Sequence, residues 1–587
     1  MSSIVTTSSL YASANIGSVS TTAIKNLTSI QFALLDSSQL ASLTSDQIAA
    51  VDSGDFAALT SDQVAAFTAD QAAGFEANDL KKMLAQVQYL NDEVISGLDT
   101  AIISSLNTKT IVYLSTSQIA ALSEEQVVQL TTKQLSKLAA EDVAALDVED
   151  IAVLTSTQIK GLSTAGLNGM DADAFSELST DVINALTTKQ IACLSTDLAE
   201  ALTETQVAAL TNTQLAKLSA ADFAVFSADD VAALSDTQVA SLSTAALNAM
   251  DTDAFGALST DVIAALTSKQ LAVLSTNLAA LLTNDQASAI TIDQIAYLST
   301  AALNAMETDV FSSLSTDAIT ALTTKQIACL SSDMAEALTE VQVAALTNTQ
   351  LAKLSSASFA MFSPEDIAVL TGDQIASLST SALNAMDTDA FAELSTDVIA
   401  ALTSKQLAVL STDLAALLST EQANAITIDQ ITYLSTAALN AMETEAFSSL
   451  SADVIAALTT KQIIYLSSDM AEALTETQVA ALTNTQLAKL SSENMATFSP
   501  EDIAVLTGDQ IASLSTAALN AMDADAFAEL STDVIAQLTS KQIAGLSTDL
   551  ASAITEEQAI ALQGAALLEY MESEVAALVY GAYPDIS

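Results

Sequence analysis

The chain has 587 residues, of which 71 are acidic and 16 are basic, so its formal net charge is −55. Every basic residue is a lysine, and there is no arginine, histidine or tryptophan. A polyanion without arginine is repelled by nucleic acid and by anionic lipid, and a chain without histidine lacks the usual residue for acid–base catalysis and for metal binding. This composition argues against a nucleic-acid-binding protein and against most classes of enzyme.

Residues 1–26 come before the first repeats. They contain neither a basic segment nor a sustained apolar segment, so a cleaved secretory signal peptide is not expected. No run of about 18 apolar residues occurs anywhere in the chain, which predicts no insertion into a membrane. We expect residues 1–26 to form an N-terminal cap or an assembly segment.

An eight-residue repeat, the octad, fills the rest of the chain. Residues 27–89 form a first block, with an apolar residue at every eighth position. A seven-residue step from Met83 to Leu90 shifts the phase by one residue, and the main series then runs unbroken through 90–562. Its consensus is Leu, Ser or Thr, any residue, Asp or Lys, Gln, then Ile, Val or Leu, and two alanines. We number these positions 1 to 8 and name each octad by its first residue.

The octad favours one short helix per repeat. In a continuous helix, eight residues overshoot two turns by roughly 80°, so the leucines would spiral around the surface. Strands are disfavoured because Ala, Gln, Lys and Asp are poor strand formers. Position 2 is Ser, Thr, Asp or Asn with three exceptions, which is the preference of a helix N-cap, and position 5 often completes a capping box, which takes Gln or Glu. Pro364 and Pro500 directly follow position 2, where the first helical residue tolerates proline.

A helix of about one and a half turns is too short to persist alone. It must bury the apolar residues at positions 1, 6 and 7 against other octads, and small alanines at positions 7 and 8 allow close approach. The predicted fold is therefore all-α: one elongated solenoid or superhelix of short capped helices, with contacts between nearest neighbours.

A higher period of 136 residues, or 17 octads, lies on top of the first. The motif LSTAALNAM and its variants recur at alternating steps of 80 and 56 residues, and define the repeats 171–306, 307–442 and 443–562. These steps approximate whole multiples of about 3.4 octads, which predicts that the coil closes about every 3.4 octads. The alternative is that 136 residues is only the length of the duplicated DNA.

Several polar residues recur with this period. A lysine at position 4 has acidic or amide residues one octad away on both sides, which predicts either ion pairing between neighbouring octads or solvated surface lysines. Acid pairs such as Asp171 and Asp173 resemble the start of a calcium loop but lack its glycine and distal glutamate, so N-capping is the favoured interpretation. Cys193 and Cys329 are equivalent positions 136 residues apart, interpreted as small apolar filler and not as a disulfide or metal site. The lysines are Lys189, Lys269, Lys325, Lys405, Lys461 and Lys541.

The octads, for example LTSKQLAV at Leu266 and LTGDQIAS at Leu370, resemble those of large bacterial surface and secreted proteins built from tandem LTTxQIAA-type repeats. The resemblance covers residues 27–562. It implies an extracellular, cell-surface location and export by type I secretion, as in sheath-like, filament-like and surface-layer proteins. Residues 563–587 depart from the octad and are expected to form a C-terminal cap, a secretion signal or both.

The first functional hypothesis is a non-enzymatic structural protein that self-assembles into an extracellular filament, sheath or surface layer. The alternative is a monomeric adhesin stalk or spacer that binds a surface partner. No catalytic, cofactor-binding or metal-binding residue is predicted, and weak divalent cation binding by the acidic surface is the only ligand interaction considered. The predicted partners are other copies of the chain and, weakly, calcium, with no nucleic acid and no membrane insertion.

Overall fold

The computed structural model describes residues 16–586, and within that range every regular element is an α-helix or a 3-10 helix. The fold is an all-α solenoid, as predicted. Contacts divide the chain into two compact units, of which 16–305 and 306–586 are the described parts. Residues 1–15, which make up most of the predicted N-terminal segment, lie outside the described residues. Between residues 16 and 586 no helix combines the length and apolarity needed to cross a membrane.

The first block has the most irregular helices, because three of its octads form 3-10 turns and its last α-helix is longer than the others. The elements from the beginning of the described chain to the phase shift are Ile16–Ser18 (3-10), Thr21–Lys25, Ser29–Phe32, Ser37–Ala41, Ser45–Ile48, Asp55–Ala58 (3-10), Ser61–Val64, Ala69–Gly74 (3-10), Ala77–Met83 and Leu84–Tyr89 (3-10).

The main series is far more regular. From Asp92 onward the helix of each octad begins at the third position of that octad. The Leu154 octad is the exception, because it forms only the 3-10 turn Ile159–Gly161. The α-helices of the main series before Glu556–Gly564 have four to six residues. The repeat 307–442 illustrates the pattern with Thr308–Ser312, Thr316–Ala321, Thr324–Ala328, Ser332–Glu336, Glu340–Ala345, Asn348–Leu351, Ser356–Phe359, Pro364–Ala368, Gly372–Ser377, Thr380–Leu383, Thr388–Ala392, Thr396–Ala401, Ser404–Ala408, Thr412–Ala416, Thr420–Asn424, Ile428–Ile431 and Thr436–Leu439.

The helix starts have the predicted caps. At the Leu402 octad, Thr403 has extended backbone angles (φ −78°, ψ 156°), its hydroxyl accepts from the Gln406 N–H, and the Gln406 side chain accepts from the Thr403 N–H. This reciprocal pair is a capping box. Pro364 and Pro500 are the first residues of their helices, as predicted. The sequence therefore sets where each helix begins through its side chains at positions 2 and 5.

Helices that pack together are three elements apart along the chain, so each coil of the solenoid lies on the one before it. In the Leu402 octad, Leu402, Gln406 and Leu407 are buried, whereas Ala408 is exposed. The prediction that position 7 is buried is thus wrong for this typical octad, and the third buried position is position 5. Each residue advances about 100° around a helix, so position 7 lies beyond the face that positions 5 and 6 turn inward.

The phase shift is absorbed at one residue. Leu84 has φ 53°, and the only other residue with a positive φ between 16 and 586 is Ala566, where the octads end. With ψ −128°, Leu84 lies outside the left-handed helical region in a conformation that costs about 1–3 kcal/mol, which surrounding contacts must offset. The side-chain oxygen of Gln86, two residues later, is buried without a hydrogen-bond partner. The phase shift and the end of the octad series therefore each coincide with a residue of positive φ.

The last coil is covered by the C-terminal residues. After the helix Glu556–Gly564, the chain forms Leu568–Tyr570 (3-10), Ser573–Ala582 and Pro584–Ile586 (3-10). The Tyr583 hydroxyl donates to the Ile554 carbonyl at 2.9 Å, and the Gln563 side chain donates to the Ile586 carbonyl at 2.7 Å. These bonds hold the C-terminal segment against the end of the octad series.

Close packing between coils predicts different responses at two equivalent glycines. A Cβ at Gly372 would lie 2.8 Å from the Ala401 Cβ, whereas at Gly508 it would meet the flexible amide end of Gln537 at 2.5 Å. We expect Gly372→Ala to lower the free energy of unfolding by about 1–2 kcal/mol because the Ala401 Cβ is fixed to the backbone. Gly508→Ala should be neutral or stabilising by up to about 1 kcal/mol, because Gln537 can swing away and alanine restricts the unfolded chain. Urea unfolding of both variants tests this, and equal losses would contradict it.

Candidate functional site

The side-chain amide at position 5 links successive coils. In the Leu402 octad, the Gln406 Oε1 accepts from the Thr403 N–H at 2.9 Å, within the capping box. Its Nε2 donates to the Ile375 carbonyl at 2.7 Å and to the Leu378 carbonyl at 3.3 Å, which belong to the preceding coil. Gln406 is 1% exposed. One buried amide thus caps its own helix and fastens it to the coil before it.

The same links recur along both units. Donation from a position-5 glutamine to carbonyls 28 to 31 residues earlier is found at Gln118, Gln126, Gln134, Gln158, Gln190, Gln206, Gln214, Gln238, Gln270, Gln286 and Gln294 in the first unit, and at Gln342, Gln350, Gln374, Gln406, Gln422, Gln430, Gln462, Gln478, Gln486, Gln510, Gln542 and Gln558 in the second.

Shorter side chains make part of the same link. Ser358 donates from its hydroxyl to the Leu330 carbonyl at 2.9 Å, and Asn494 donates from its Nδ2 to the Leu466 carbonyl at 3.0 Å. Both acceptors lie 28 residues before the donor. Serine and asparagine at position 5 therefore reach the same place on the preceding coil as one of the two glutamine bonds.

Sequence reasoning missed these links because it interpreted position 5 only as half of a capping box. A signal was available. Glutamate and glutamine serve equally as capping-box partners, yet position 5 of the main series carries glutamine in 24 octads, aspartate in six and glutamate in none. Only the amide can also donate to carbonyls. The preference for glutamine over glutamate in a chain so rich in acidic residues indicates that a donor is favoured at this position.

A second link belongs to the LSTAALNAM motif, whose asparagine is at position 7. Asn384 donates from its Nδ2 to the Val409 carbonyl at 2.7 Å and accepts at its Oδ1 from the Ser411 N–H at 2.9 Å. It therefore clamps the boundary between the octads three and four places later through two backbone groups. Equivalent clamps are formed by Asn168, Asn248, Asn440 and Asn520. The two kinds of link span 25 to 31 residues, which brackets the predicted 3.4 octads per coil.

Removal of one clamp should be measurable. We expect Asn384→Ala to lower the free energy of unfolding by about 1–2 kcal/mol, because two hydrogen bonds to backbone groups of the next coil are lost. Asn424→Ala, at the same octad position but exposed, is the matched control and should change it by less than about 0.5 kcal/mol. Chemical denaturation measures both, and equal effects would show that the clamp contributes nothing.

The recurring charged residues are surface and capping groups. All six position-4 lysines are exposed, and the stacking of helices three apart leaves neighbouring octads unstacked, which supports the interpretation as solvated lysines. Asp171 accepts at its side chain from the Asp173 and Ala174 N–H groups at 2.9 and 3.4 Å, which confirms the N-cap interpretation of the acid pairs. Glu307 and Glu443, at the same position, make no side-chain cap.

Both cysteines are exposed and neither forms a disulfide, as predicted. Because their side chains are exposed, the interpretation as small apolar filler does not describe their place in the fold. Cys193 is held by its backbone, because its carbonyl accepts from the Nδ2 of the Asn168 clamp at 2.6 Å. Because the clamp uses only the backbone carbonyl of this position, the side chain can differ from repeat to repeat. The equivalent residues are Val273, Val409, Tyr465 and Gly545.

Shallow acidic grooves run between helix starts of successive coils. One of about 540 Å³ is lined by Glu476, Glu501 and Asp502, and another of about 650 Å³ by Asp236 and Asp261. Within residues 16–586 no group of three or more Cys, Asp or Glu side chains is arranged to hold a metal ion. The grooves can hold water and diffuse counterions, and the expected lack of catalytic and cofactor-binding residues stays a prediction.

Comparison with known proteins supports a tandem-repeat protein. The ALTTAQ repeat family matches residues 95–132 and 236–268. No curated protein sequence matches the chain significantly.

Three solved structures illustrate the matches among known folds. The Rif1 N-terminal domain from Saccharomyces cerevisiae in complex with DNA is 11% identical with a TM-score of 0.26, and the match covers 90% of this chain and 65% of the Rif1 chain. The pentatricopeptide repeat protein PPR10 from maize is 12% identical with a TM-score of 0.14, covering 99% and 96%. APUM23–GGAAUUGACGG is 13% identical with a TM-score of 0.13, covering 87% and 93%.

These matches correct the predicted partners. The chain was predicted to associate with itself and weakly with calcium, and to exclude nucleic acid; the exclusion of nucleic acid is wrong as stated, because the matched helical repeat structures include a complex with DNA. The low TM-scores carry no argument about what this chain binds.

Proposed function

We propose that this chain is a non-enzymatic structural protein of the bacterial cell surface, a scaffold that carries the same surface at each 136-residue repeat. The observation that supports it most is the regular link from position 5 to the preceding coil. These bonds use buried amides and backbone carbonyls, so they hold the coils together and leave the exposed positions 3, 4, 7 and 8 free to face a partner.

The C-terminal segment favours the spacer form of this function over a polymer that grows through that end. Tyr583 and Gln563 fasten the segment over the last octads. A solenoid whose last coil is covered offers no open coil for a further subunit to stack on. The resemblance to surface and secreted octad proteins supports the cell-surface location.

Two measurements test the proposal. Protease treatment of intact cells of the source bacterium should remove the protein while a cytoplasmic marker survives, and full protection of both would overturn the surface location. Sedimentation velocity of the purified full chain should give a single monomeric species, and ordered filaments would overturn the spacer form.

Titrations of labelled DNA and RNA into the same preparation test the structural role itself. The titrations are made at physiological salt, with a protein of scrambled charge as the reference for nonspecific binding. Sequence-dependent binding in the nanomolar range would replace the structural function with nucleic-acid recognition.

A further inference from the structure

One buried carboxyl group has no role in the proposed scaffold. Asp150, at position 5 of the Leu146 octad, is 3% exposed. Asp150 belongs to the helix Val148–Ala152, which packs against the helices Glu124–Val128 and Ala172–Ser176. The other side chains that carry charge on these helices or at their ends are all acidic, namely Glu124, Glu125, Asp147, Glu149, Asp171, Asp173 and Glu177.

The register of the coil places Asp150 where other octads have a donor. In the next octad Gln158 donates to the Val127 and Leu130 carbonyls, 31 and 28 residues earlier. The same offsets from Asp150 lead to the carbonyls of Ile119 and Leu122. An ionised carboxylate can only accept, so it cannot make this link, whereas a protonated carboxyl group can donate one hydrogen bond.

The N-cap of this octad differs from those of the octads that pair serine with aspartate. In four octads a serine hydroxyl at position 2 donates to the aspartate at position 5 at 2.6 to 2.8 Å. In the Leu146 octad position 2 is Asp147, whose carboxylate accepts from the Asp150 N–H at 2.9 Å. Two carboxyl groups thus lie at one helix start, where like charges favour retention of a proton. The four serine–aspartate pairs are Ser219 and Asp222, Ser227 and Asp230, Ser363 and Asp366, and Ser499 and Asp502.

We propose that the Leu146 octad is a pH-sensitive joint of the solenoid. When Asp150 takes up a proton from solvent, its carboxyl group donates to the preceding coil as glutamine does elsewhere, and the joint tightens. When the proton leaves, the joint holds a buried carboxylate among acidic neighbours and loosens. This property is independent of the proposed surface function.

The direction of the pH dependence follows from the electrostatics. Burial, and after it the negative charges of Asp147 and Glu124, together raise the pKa of Asp150 to about 6. A carboxyl group whose folded pKa lies above its unfolded value of about 3.9 stabilises the fold most below that value, and the contribution is lost as pH rises through the folded pKa. The joint should therefore loosen as pH rises from about 4 to about 6, with little further change above about pH 7.

Hydrogen exchange of the intact chain at pH 5 and pH 7.5, corrected for intrinsic rates, tests the proposal at single joints. Peptides covering 119–127 and 147–154 should be about tenfold more protected at pH 5. Peptides of the Leu218 octad, in which Ser219 and Asp222 form the capping box, serve as the internal control joint. General charge repulsion is relieved at low pH in both octads, so only a difference between them reports on Asp150. Equal pH dependence at the two joints would overturn the proposal.

Three variants sharpen the test. Asp147→Ser recreates the serine–aspartate box of the control joint and should reduce the pH dependence to that of the control. Asp150→Gln should keep the joint protected at both pH values. Ser219→Asp should transfer the pH dependence to the control joint. An unchanged pH dependence in Asp147→Ser, or no gain in Ser219→Asp, would count against the proposal.

Discussion

Gln126→Glu is expected to lower the free energy of unfolding by about 3–5 kcal/mol at pH 7.5. Gln126 is 1% exposed, and its Nε2 donates to the Ile95 carbonyl at 3.0 Å and to the Leu98 carbonyl at 2.7 Å. Glutamate has nearly the same shape and can still accept from the Ser123 N–H, but it removes both donated bonds and buries a negative charge against carbonyl oxygens. The substitution therefore separates the link between coils from the capping box.

The control is Gln129→Glu, which makes the same change in charge three residues away on the exposed surface. It should alter the free energy of unfolding by less than about 0.5 kcal/mol. Urea unfolding at pH 7.5 and pH 5 measures both variants. Partial recovery of Gln126→Glu at pH 5 is expected, because a protonated glutamate regains one donor. If Gln126→Glu matches its control, the link contributes nothing to stability.

Deletion of one whole octad is expected to be tolerated, whereas deletion of half an octad is not. Removal of residues 418–425 shifts the later octads by one full repeat, so each remaining position-5 side chain still meets positions 1 and 6 of the preceding coil. It also leaves the Asn384 and Asn440 clamps intact, since their partners lie outside the deleted segment. We expect a cost of about 2 kcal/mol or less, the loss of one helix and its contacts.

Deletion of residues 418–421 moves every later residue by four positions. The amides at position 5 then face exposed positions of the neighbouring coils, and apolar residues at positions 1 and 6 turn outward next to the deletion. We expect loss of cooperative unfolding across the deletion site and rapid hydrogen exchange for at least one coil on each side of it. Circular dichroism melting and hydrogen exchange distinguish the two deletions, and equal stability would show that octad register is not what the coils recognise.

The local structure could be predicted from the sequence because its determinants lie within one octad. Capping residues at position 2, their partners at position 5 and the prolines at 364 and 500 act over three or four residues, so their spacing alone shows where helices begin. The solenoid followed because helices so short need neighbours.

The contacts between coils could not be derived in the same way. They depend on which octads stack, and nothing within a single octad states that position 5 will lie over positions 1 and 6 of octads three and four places earlier. Alanine at position 7 was therefore predicted to be buried, and the Asn384 type of clamp was not anticipated. The phase shift is visible in the sequence as a seven-residue step. The positive φ of Leu84, which accommodates the shift, could not be predicted because it depends on backbone geometry.

The links of 25 to 31 residues also bear on how the chain folds. In a chain of 587 residues a typical separation of 28 corresponds to a relative contact order of about 0.05, below the range of small helical bundles. No contact of this kind has to wait for a distant part of the chain. Once about four successive octads are free to meet, a first coil can close, and each further octad can add to it. The molecule is thus suited to fold progressively as it emerges from a ribosome or from an export channel, from whichever end appears first.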